Sequence, residues 1–465
     1  MRLLTLIFTI LLYSSPTLAQ DSLGVISLAE YLGYVKSYHP IVKQANLIIN
    51  KSEAKLLKAR GAFDPKLELD YDRKKFKDIE YFDKLNTTFK LPTWYGVEFK
   101  ANFEQNSGEF LNPEASLPSD GLYSAGVSFS LAKGFLINKR IAMLKQAKLF
   151  VKQAKADRQL LVNKILYKAT ISYFNWLKTY NEKEIYNNFL ANAEMRFKGI
   201  KKGYELGERP AIDTTEARIA FNDRKLNLEK ARIKFVKSTL ELSSYLWLSD
   251  NTPIEIKENI IPDTNTLNTV DETLNTSLFD VETLDLENHP KLKSLNYKVN
   301  SLDIEKRLKK NNLLPKINLQ YNFLSETPDT PRSFGTDEYK SAVNISLPLF
   351  YRKERADLKL AKIKLQDTKF ELQNTRVNLK NKITAINQEL ESYTVQNNLT
   401  DTIVSDYTKM LTAEERKFTL GESSLFYVNI RESKLITAKL KAVSIENDFF
   451  KTKASLFNVL ATNLQ

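Results

Sequence analysis

Cysteine is absent from the 465-residue chain, and histidine occurs only twice. The first absence excludes disulfide bonds, thiolate metal ligands and an acyl anchor on an N-terminal cysteine. With only His39 and His289 available, we find no catalytic triad, no metal-ligand constellation and no glycine-rich phosphate loop. The sequence therefore predicts a protein that is not an enzyme and that uses no cofactor or metal.

Long hydrophobic runs are also missing beyond residue 19, where no apolar stretch reaches the roughly 18 residues of a transmembrane helix. The start of the chain is different, because Arg2, the apolar run after it and the small residues before Gln20 are typical of a secretory signal peptide. We expect residues 1–19 to be cleaved after Ala19 and the mature protein to be exported. If it enters a membrane, we expect it to do so as a β-barrel.

The positive charges are not gathered in one place. The chain has 69 Lys and Arg against 56 Asp and Glu, a formal net charge of +13, but the basic residues are interleaved with acids along the sequence. Nucleic-acid-binding proteins concentrate their basic residues in a stripe or patch. The sequence therefore does not favour nucleic acid as a partner.

Two long helical patterns, residues 136–206 and 351–420, are each followed by a shorter one, residues 211–248 and 424–462. The second long pattern has an apolar side chain at every seventh position, which predicts coiled-coil packing. The row consists of Leu358, Leu365, Leu372, Leu379, Ile386 and Tyr393. Both long patterns end in Leu-Gly-Glu, at Gly207 and Gly421, and a glycine in this position usually ends a helix. We interpret the two sites as the tips of helical hairpins.

A constant offset of 250 residues relates the two halves of the chain. It separates His39-Pro40 from His289-Pro290, and it separates Pro65 from Pro315, which each precede a stretch of alternating polarity. We predict two structural repeats, residues 20–249 and 284–465, joined by a polar linker, residues 250–283, that lies on the outside of the helices. The two histidines are expected to cap helices.

Each repeat contains a predicted strand pair, at about residues 66–131 and 316–349, in which apolar and polar residues alternate. Such segments suit a membrane barrel, although a soluble, half-buried hairpin gives the same pattern. The first pair encloses a longer insertion, residues 80–120, which forms either a second hairpin or a long loop. We favour a partly structured loop, because extra strands in one repeat complicate barrel closure.

Together these features resemble the TolC-like outer-membrane efflux protein family, the outer membrane factors. The resemblance rests on the signal peptide, the two His-Pro helix starts, the strand pairs, the Ser-Leu-Pro-Leu-Phe stretch at 346–350 and the two Leu-Gly-Glu tips. It implies a mostly α fold with some β. Three protomers would each give four strands to one shared transmembrane β-barrel, and their coiled-coil hairpins would form a long α-helical barrel.

The resemblance also implies a function. The homotrimer would sit in the lipid of a Gram-negative outer membrane with its helices in the periplasm, as the passive exit duct of a tripartite efflux or type I secretion system. Its partners would be a periplasmic adaptor (membrane fusion) protein and an inner-membrane transporter. The alternative is an exported periplasmic coiled-coil spacer without channel activity, although a spacer has no use for two-faced strands.

The resemblance places a gate at the periplasmic tips. Family members carry acidic residues six and nine positions after the second tip glycine, where this chain has Tyr427 and Ile430, whereas Asp213 and Glu216 occupy the same positions after the first. An aspartate at the position of Asp213 helps to hold the closed state in the family, but the helix dipole alone also favours an acid there. The candidate gate residues are Gly207, Glu208, Asp213, Glu216, Gly421, Glu422, Tyr427, Asn429 and Ile430.

Overall fold

The computed structural model describes residues 24–94, 96–133, 137–257, 259–276 and 286–462. The predicted signal peptide and the last part of the predicted linker, residues 277–283, lie outside the described residues. Helices account for 65% of the structure and strands for a smaller share, so the predicted fold class of mostly α with some β is confirmed.

The helices are, in chain order, α1 (Leu28–Tyr38), α2 (Pro40–Arg60), α3 (Lys139–Glu205), α4 (Ala211–Ser243), α5 (Thr266–Thr273), α6 (Pro290–Asn311), α7 (Arg352–Thr419) and α8 (Leu425–Leu460). Helices α3 and α7 contain 67 and 68 residues, and their ends are close to the predicted ones. None of the described helices has an apolar stretch long enough to cross a membrane.

The strands are β1 (Gly24–Ile26), β2 (Lys66–Phe76), β3 (Ile79–Pro92), β4 (Val97–Ser107), β5 (Leu122–Ala132), β6 (Ile260–Pro262), β7 (Lys316–Ser325) and β8 (Tyr339–Ser346). The chain divides into two compact units. The sheet unit comprises the described residues within 45–160 and 285–379, and the tip unit comprises those within 1–44, 161–284 and 380–465.

The sheet unit is built around one antiparallel sheet of six strands in the order β2-β3-β4-β5-β7-β8. Strands β3 and β4 occupy most of residues 79–107, so the expectation of a loop across residues 80–120 is wrong. The four strands per chain implied by the family resemblance are likewise exceeded by two. Residues 108–121 alone form the connection between β4 and β5.

The pairing of residues between neighbouring strands shows which residues share a face of this sheet across all six strands. One row of paired residues is apolar or aromatic throughout: Leu67, Phe89, Ala101, Ala125, Phe323 and Tyr339. The next row, on the opposite face, consists of Lys66, Lys90, Lys100, Gly126, Asn322 and Lys340. Because neighbouring residues of a strand point to opposite faces, the sheet has one apolar and one polar side.

The seven-residue row predicted on α7 lies on the packed side of that helix. Leu365 and Ile386 are buried, and the other members of the row are partly buried. This agrees with a coiled-coil contact face.

The tip unit has an aromatic core that includes Tyr31, Tyr173 and Trp176, all fully buried. The predicted linker contributes to this core, since Ile256, Val270 and Leu274 are buried in it. In addition, β6 pairs in parallel with β1. The described part of this segment therefore packs against the tip unit through these residues.

Both histidines cap helices, as predicted. The Nδ1 atom of His39 accepts a hydrogen bond from the backbone N–H of Ile41, and Nδ1 of His289 accepts one from Lys291, each at 3.1 Å. An acceptor at this position satisfies a backbone donor that has no partner within the helix. The neutral imidazole is required, because a protonated Nδ1 cannot accept.

This requirement predicts a pH-dependent start of α2. Burial lowers the pKa of His39 from its ordinary value of 6.5, so the unfolded chain binds a proton more readily than the folded one. The cap, worth about 1 kcal/mol, is therefore fully present above pH 6.5 and is lost as the pH falls below it. Amide hydrogen exchange at Ile41 and Val42, corrected for intrinsic rates, should show the first turn opening more often at pH 5 than at pH 7.

The His39→Asn variant provides the control, because asparagine also accepts a hydrogen bond at a helix start but does not titrate. Its exchange should depend much less on pH over this interval. An equal pH dependence in both proteins would show that His39 is not the titrating group.

Candidate functional site

Each helical hairpin of the tip unit turns through a glycine with left-handed backbone conformation. Gly207 and Gly421 both have φ of +78°. In the first tip, Gly207 N–H donates to Tyr204 O at 3.0 Å and Glu208 N–H donates to Gly203 O at 2.8 Å. This pair of hydrogen bonds is the Schellman motif, which ends a helix and satisfies its last carbonyls.

The second tip repeats this geometry. Gly421 N–H donates to Phe418 O at 3.1 Å, and Glu422 N–H donates to Lys417 O at 2.8 Å. The guanidinium carbon of Arg209, from the first tip, lies 4.8 Å from the centre of the Phe418 ring, a cation–π contact between the two tips. Glu208 and Glu422 are exposed on this surface.

The remaining predicted residues differ in their surroundings. Asp213 lies in the first turn of α4, and its carboxylate makes no hydrogen bond or ion pair with the described residues. Glu216 and Asn429 are brought together, since Asn429 Nδ2 donates to Glu216 Oε1 at 3.0 Å. Tyr427 is exposed, and its ring meets Phe426 edge-on with centroids 5.6 Å apart.

Ile430 lines an open groove of about 430 Å³ between α4 and α8. Ala220, Ile219 and Phe426 supply the rest of its apolar lining. The side chains of Ile219, Phe426 and Ile430 are exposed in the single chain. The groove therefore presents apolar surface beside the Glu216–Asn429 hydrogen bond.

A buried ionic cluster, which sequence reasoning missed, joins three helices just behind these residues. We call it the tip cluster: Arg196 on α3, Arg224 on α4 and Glu432 on α8. Glu432 is only 2% exposed. Arg224 Nε donates to Glu432 Oε1 at 3.2 Å, and Arg196 Nη1 lies 2.7 Å from Glu432 Oε2, outside regular hydrogen-bond alignment.

Further polar groups surround the two guanidinium groups. Arg196 Nη2 donates at 3.1 Å to Glu415 on α7, and Arg224 donates at 2.7 Å to Asp223 and at 2.9 Å to Ser433. Asn429 Oδ1 lies 3.5 Å from Arg196, so the cluster extends to Glu216 through Asn429. All four helices of the two hairpins thus contribute to one polar network.

The burial of this network determines its effect on stability. The charge of the buried carboxylate is compensated only while both guanidinium groups are present, and removing one partner typically costs about 3–5 kcal/mol of stability. Arrangements of the hairpins in which Glu432 no longer contacts Arg196 and Arg224 are therefore higher in free energy. The tip cluster can act as a latch on the relative position of α3, α4 and α8.

Two signals in the sequence could have revealed the tip cluster. Arg224 belongs to a seven-residue row of otherwise small residues, Ala217, Ala231 and Ser238, which are all buried. Glu432 follows Leu425 and Val428 and precedes Leu435, all buried at coiled-coil spacing on α8. A charged side chain in the packed row of a coiled coil requires an opposite charge nearby.

Metal binding has no support in the described part of the chain, where no group of three or more His, Asp or Glu side chains is arranged to hold an ion. In the same part of the chain, the tip unit has two glycine turns, an apolar groove and the tip cluster. These features can stabilise one packing arrangement of the helices over another.

The fold is similar to that of solved outer-membrane proteins. It is similar to the Campylobacter jejuni CmeC outer membrane channel (13% identity, TM-score 0.64, covering 94% of this chain and 86% of that one). It is also similar to Vibrio cholerae VceC (12%, 0.66, 94% and 97%) and to the open state of the Neisseria gonorrhoeae MtrE outer membrane channel (12%, 0.63, 94% and 89%).

Residues 283–462 match the family model described as outer membrane efflux protein. No match was found among curated protein sequences. The predicted resemblance to the TolC-like outer-membrane efflux family is thereby confirmed, and CmeC and MtrE, which share its fold, are outer-membrane channels.

Proposed function

We propose that the protein is the outer-membrane exit duct of a tripartite efflux or type I secretion system, a passive conduit formed by three copies and gated at its tips. The observation that carries the proposal is the two-faced sheet. Leu67, Leu69, Val343 and Ile345 on its apolar side are between 63% and 72% exposed in the single chain. Lipid would cover this face, whereas a coiled-coil spacer leaves it without a role.

A free helical face supports the assembly. Every seventh residue of α4 is an exposed isoleucine or leucine, between 42% and 69% accessible. We call this the α4 row: Ile212, Ile219, Leu226, Ile233 and Leu240. It points away from the buried Ala217, Arg224 and Ala231, so a single chain leaves it unpacked.

A second free face lies on α7 within the same unit, where Val395, Leu399, Ile403 and Met410 are exposed. We call these residues the α7 face. Two different apolar faces on one chain suit a head-to-tail ring, in which the α4 row of one copy packs on the α7 face of the next. Such a ring of hairpins is the proposed α-helical barrel.

The tips and the tip cluster support a gate within this barrel. The matching Schellman turns at Gly207 and Gly421 are consistent with two repeats of one hairpin, residues 20–249 and 284–465. The tip would face the periplasm and meet an adaptor protein joined to an inner-membrane transporter. In that arrangement the substrate is selected upstream of the duct.

Membrane fractionation followed by mass measurement tests the proposal. The protein should be recovered with the outer membrane, and detergent extraction should yield a complex three times the mass of the mature chain. Recovery as a monomer in the periplasmic fraction would contradict the duct and favour the spacer.

The Asp213→Ala variant tests the gate. The carboxylate has no partner within its own chain's described residues, so it is free to bond to the neighbouring hairpin in the assembled ring. We expect its loss to raise the resting conductance in planar bilayers and the sensitivity of cells to large antibiotics.

Glu205→Ala is the matched control, because Glu205 is an exposed acid at the last residue of α3, close to the same tip and outside the first turn of α4. It should leave the resting conductance unchanged. If Asp213→Ala also leaves it unchanged and lowers only thermal stability, Asp213 serves the helix dipole and not the gate.

A further inference from the structure

The two outer strands of the six-stranded sheet, β2 and β8, have no strand beyond them among the described residues. Strand β8 is exposed along its whole length, and β2 is exposed at all but one position. Unpaired edges attract other strands, and in lipid each unpaired backbone group is costly. These edges therefore need a partner.

Chain direction makes the two edges suitable partners for each other. Five residues separate the end of α2 from the start of β2, and five separate the end of β8 from the start of α7. One strand thus leaves the helices and the other returns to them. When copies stand side by side in the same orientation, β8 of one copy runs antiparallel to β2 of the next, as all other neighbours in the sheet do.

The faces of the two edges also agree. Aligning the strand ends nearest the helices places Lys66 opposite Ser346, and odd-numbered residues of β2 then face odd-numbered residues of β8. Leu69 lies opposite Val343 on the apolar side. A shift by one residue would bring apolar side chains to the polar side.

Charge adds to this match. The polar side of β2 carries Asp70 and Asp72, and that of β8 carries Lys340, none of which forms an ion pair within the described residues. The aligned register places Asp72 opposite Lys340. Opposite charges in such cross-strand pairs are stabilising.

We propose that β8 of each copy pairs with β2 of the next and that the closed barrel contains 18 strands, six from each of three copies. This inference rests on the proposed trimeric duct. Barrel diameter grows roughly linearly with strand number, so the barrel would be about 1.5 times as wide as one built from four strands per chain. Barrels of 16–18 strands leave an aqueous channel.

We call the pairing of β8 with β2 of the next copy the seam. Cysteine cross-linking tests it directly, because the chain has no cysteine of its own. In the detergent-extracted Asp70→Cys/Ala342→Cys variant, oxidation should give dimers and trimers that resist SDS and return to monomers on reduction. Glu68→Cys or Asp72→Cys combined with Ala342→Cys covers registers shifted by two residues. Leu69→Cys/Ala342→Cys is the control, and its side chains on opposite faces should cross-link several-fold less.

The outcomes separate the seam from the duct. A complex of trimer mass that cross-links in none of the three even-numbered variants would overturn the β8–β2 seam and the 18-strand barrel while leaving the trimer intact. A monomer in all variants and in the unmodified protein would overturn both. Cross-linking in an even-numbered variant, with little in the Leu69 control, would support the seam.

Discussion

Replacing both Ile219 and Leu226 by aspartate is expected to leave the protein monomeric under conditions in which the unmodified protein is a trimer. Both residues belong to the exposed α4 row, which we propose packs on the α7 face of the next copy. Burying two carboxylates without partners in an apolar contact costs several kcal/mol per group. Light scattering in mild detergent measures the mass of the complex.

The neighbouring residues provide a control with the same spacing and the same introduced side chain. Arg218 and Lys225 are exposed and lie to the side of the α4 row. The Arg218→Asp/Lys225→Asp variant should remain trimeric, although it changes the net charge more. If the two double variants behave alike, the α4 row is not the contact surface.

The second large effect is expected at the tip cluster. Glu432→Gln keeps the size of the side chain but leaves Arg196 and Arg224 facing a neutral amide in a buried site. We expect the tip unit to be destabilised by about 3–5 kcal/mol. Hydrogen exchange of amides in α8 around residue 432 measures this opening, and an increased resting conductance would link it to the gate.

Two further variants distinguish a buried latch from a general charge effect. Glu415→Gln removes the other acid bound to Arg196, but Glu415 is 45% exposed, so its loss should cost under about 1 kcal/mol. Replacing Arg196 and Arg224 by methionine and Glu432 by leucine should restore stability, because an apolar cluster needs no charge balance. Equal effects of Glu432→Gln and Glu415→Gln would contradict the latch.

The hairpin tips could be predicted from sequence because their cause is local. Gly207 and Gly421 tolerate a positive φ that other residues adopt at a cost, and the flanking hydrogen bonds are formed within six residues. The His-Pro helix starts are local in the same way. The isoleucine and leucine heptad of the α4 row is also local, but the sequence does not say which surface packs against it.

The extra strands were missed for a different reason. The alternation in β4, through Val97, Phe99 and Phe103, was visible, but the assumption that both repeats give equal strand pairs assigned it to a loop. In β3 the alternation is interrupted by Asp83 and Thr87, which lie on the same face as Leu85 and Phe89. The alternation in β4 was therefore the better guide to the structure than the expectation of equal repeats.

The tip cluster could not be paired from sequence. Arg196, Arg224 and Glu432 are far apart in the chain, and only the packing of α3, α4 and α8 brings them together. The sequence can show that a charged residue occupies a packed row of a helix. It cannot show which of the many oppositely charged residues forms an ion pair with it.

Single-channel recording from purified protein in planar bilayers tests the central claim most directly. A duct held shut at its tips should insert as a uniform complex with a low resting conductance, and Asp213→Ala and Glu432→Gln should each raise that conductance. A homogeneous, folded preparation that gives no conductance steps, in the unmodified form or in either variant, would contradict the account.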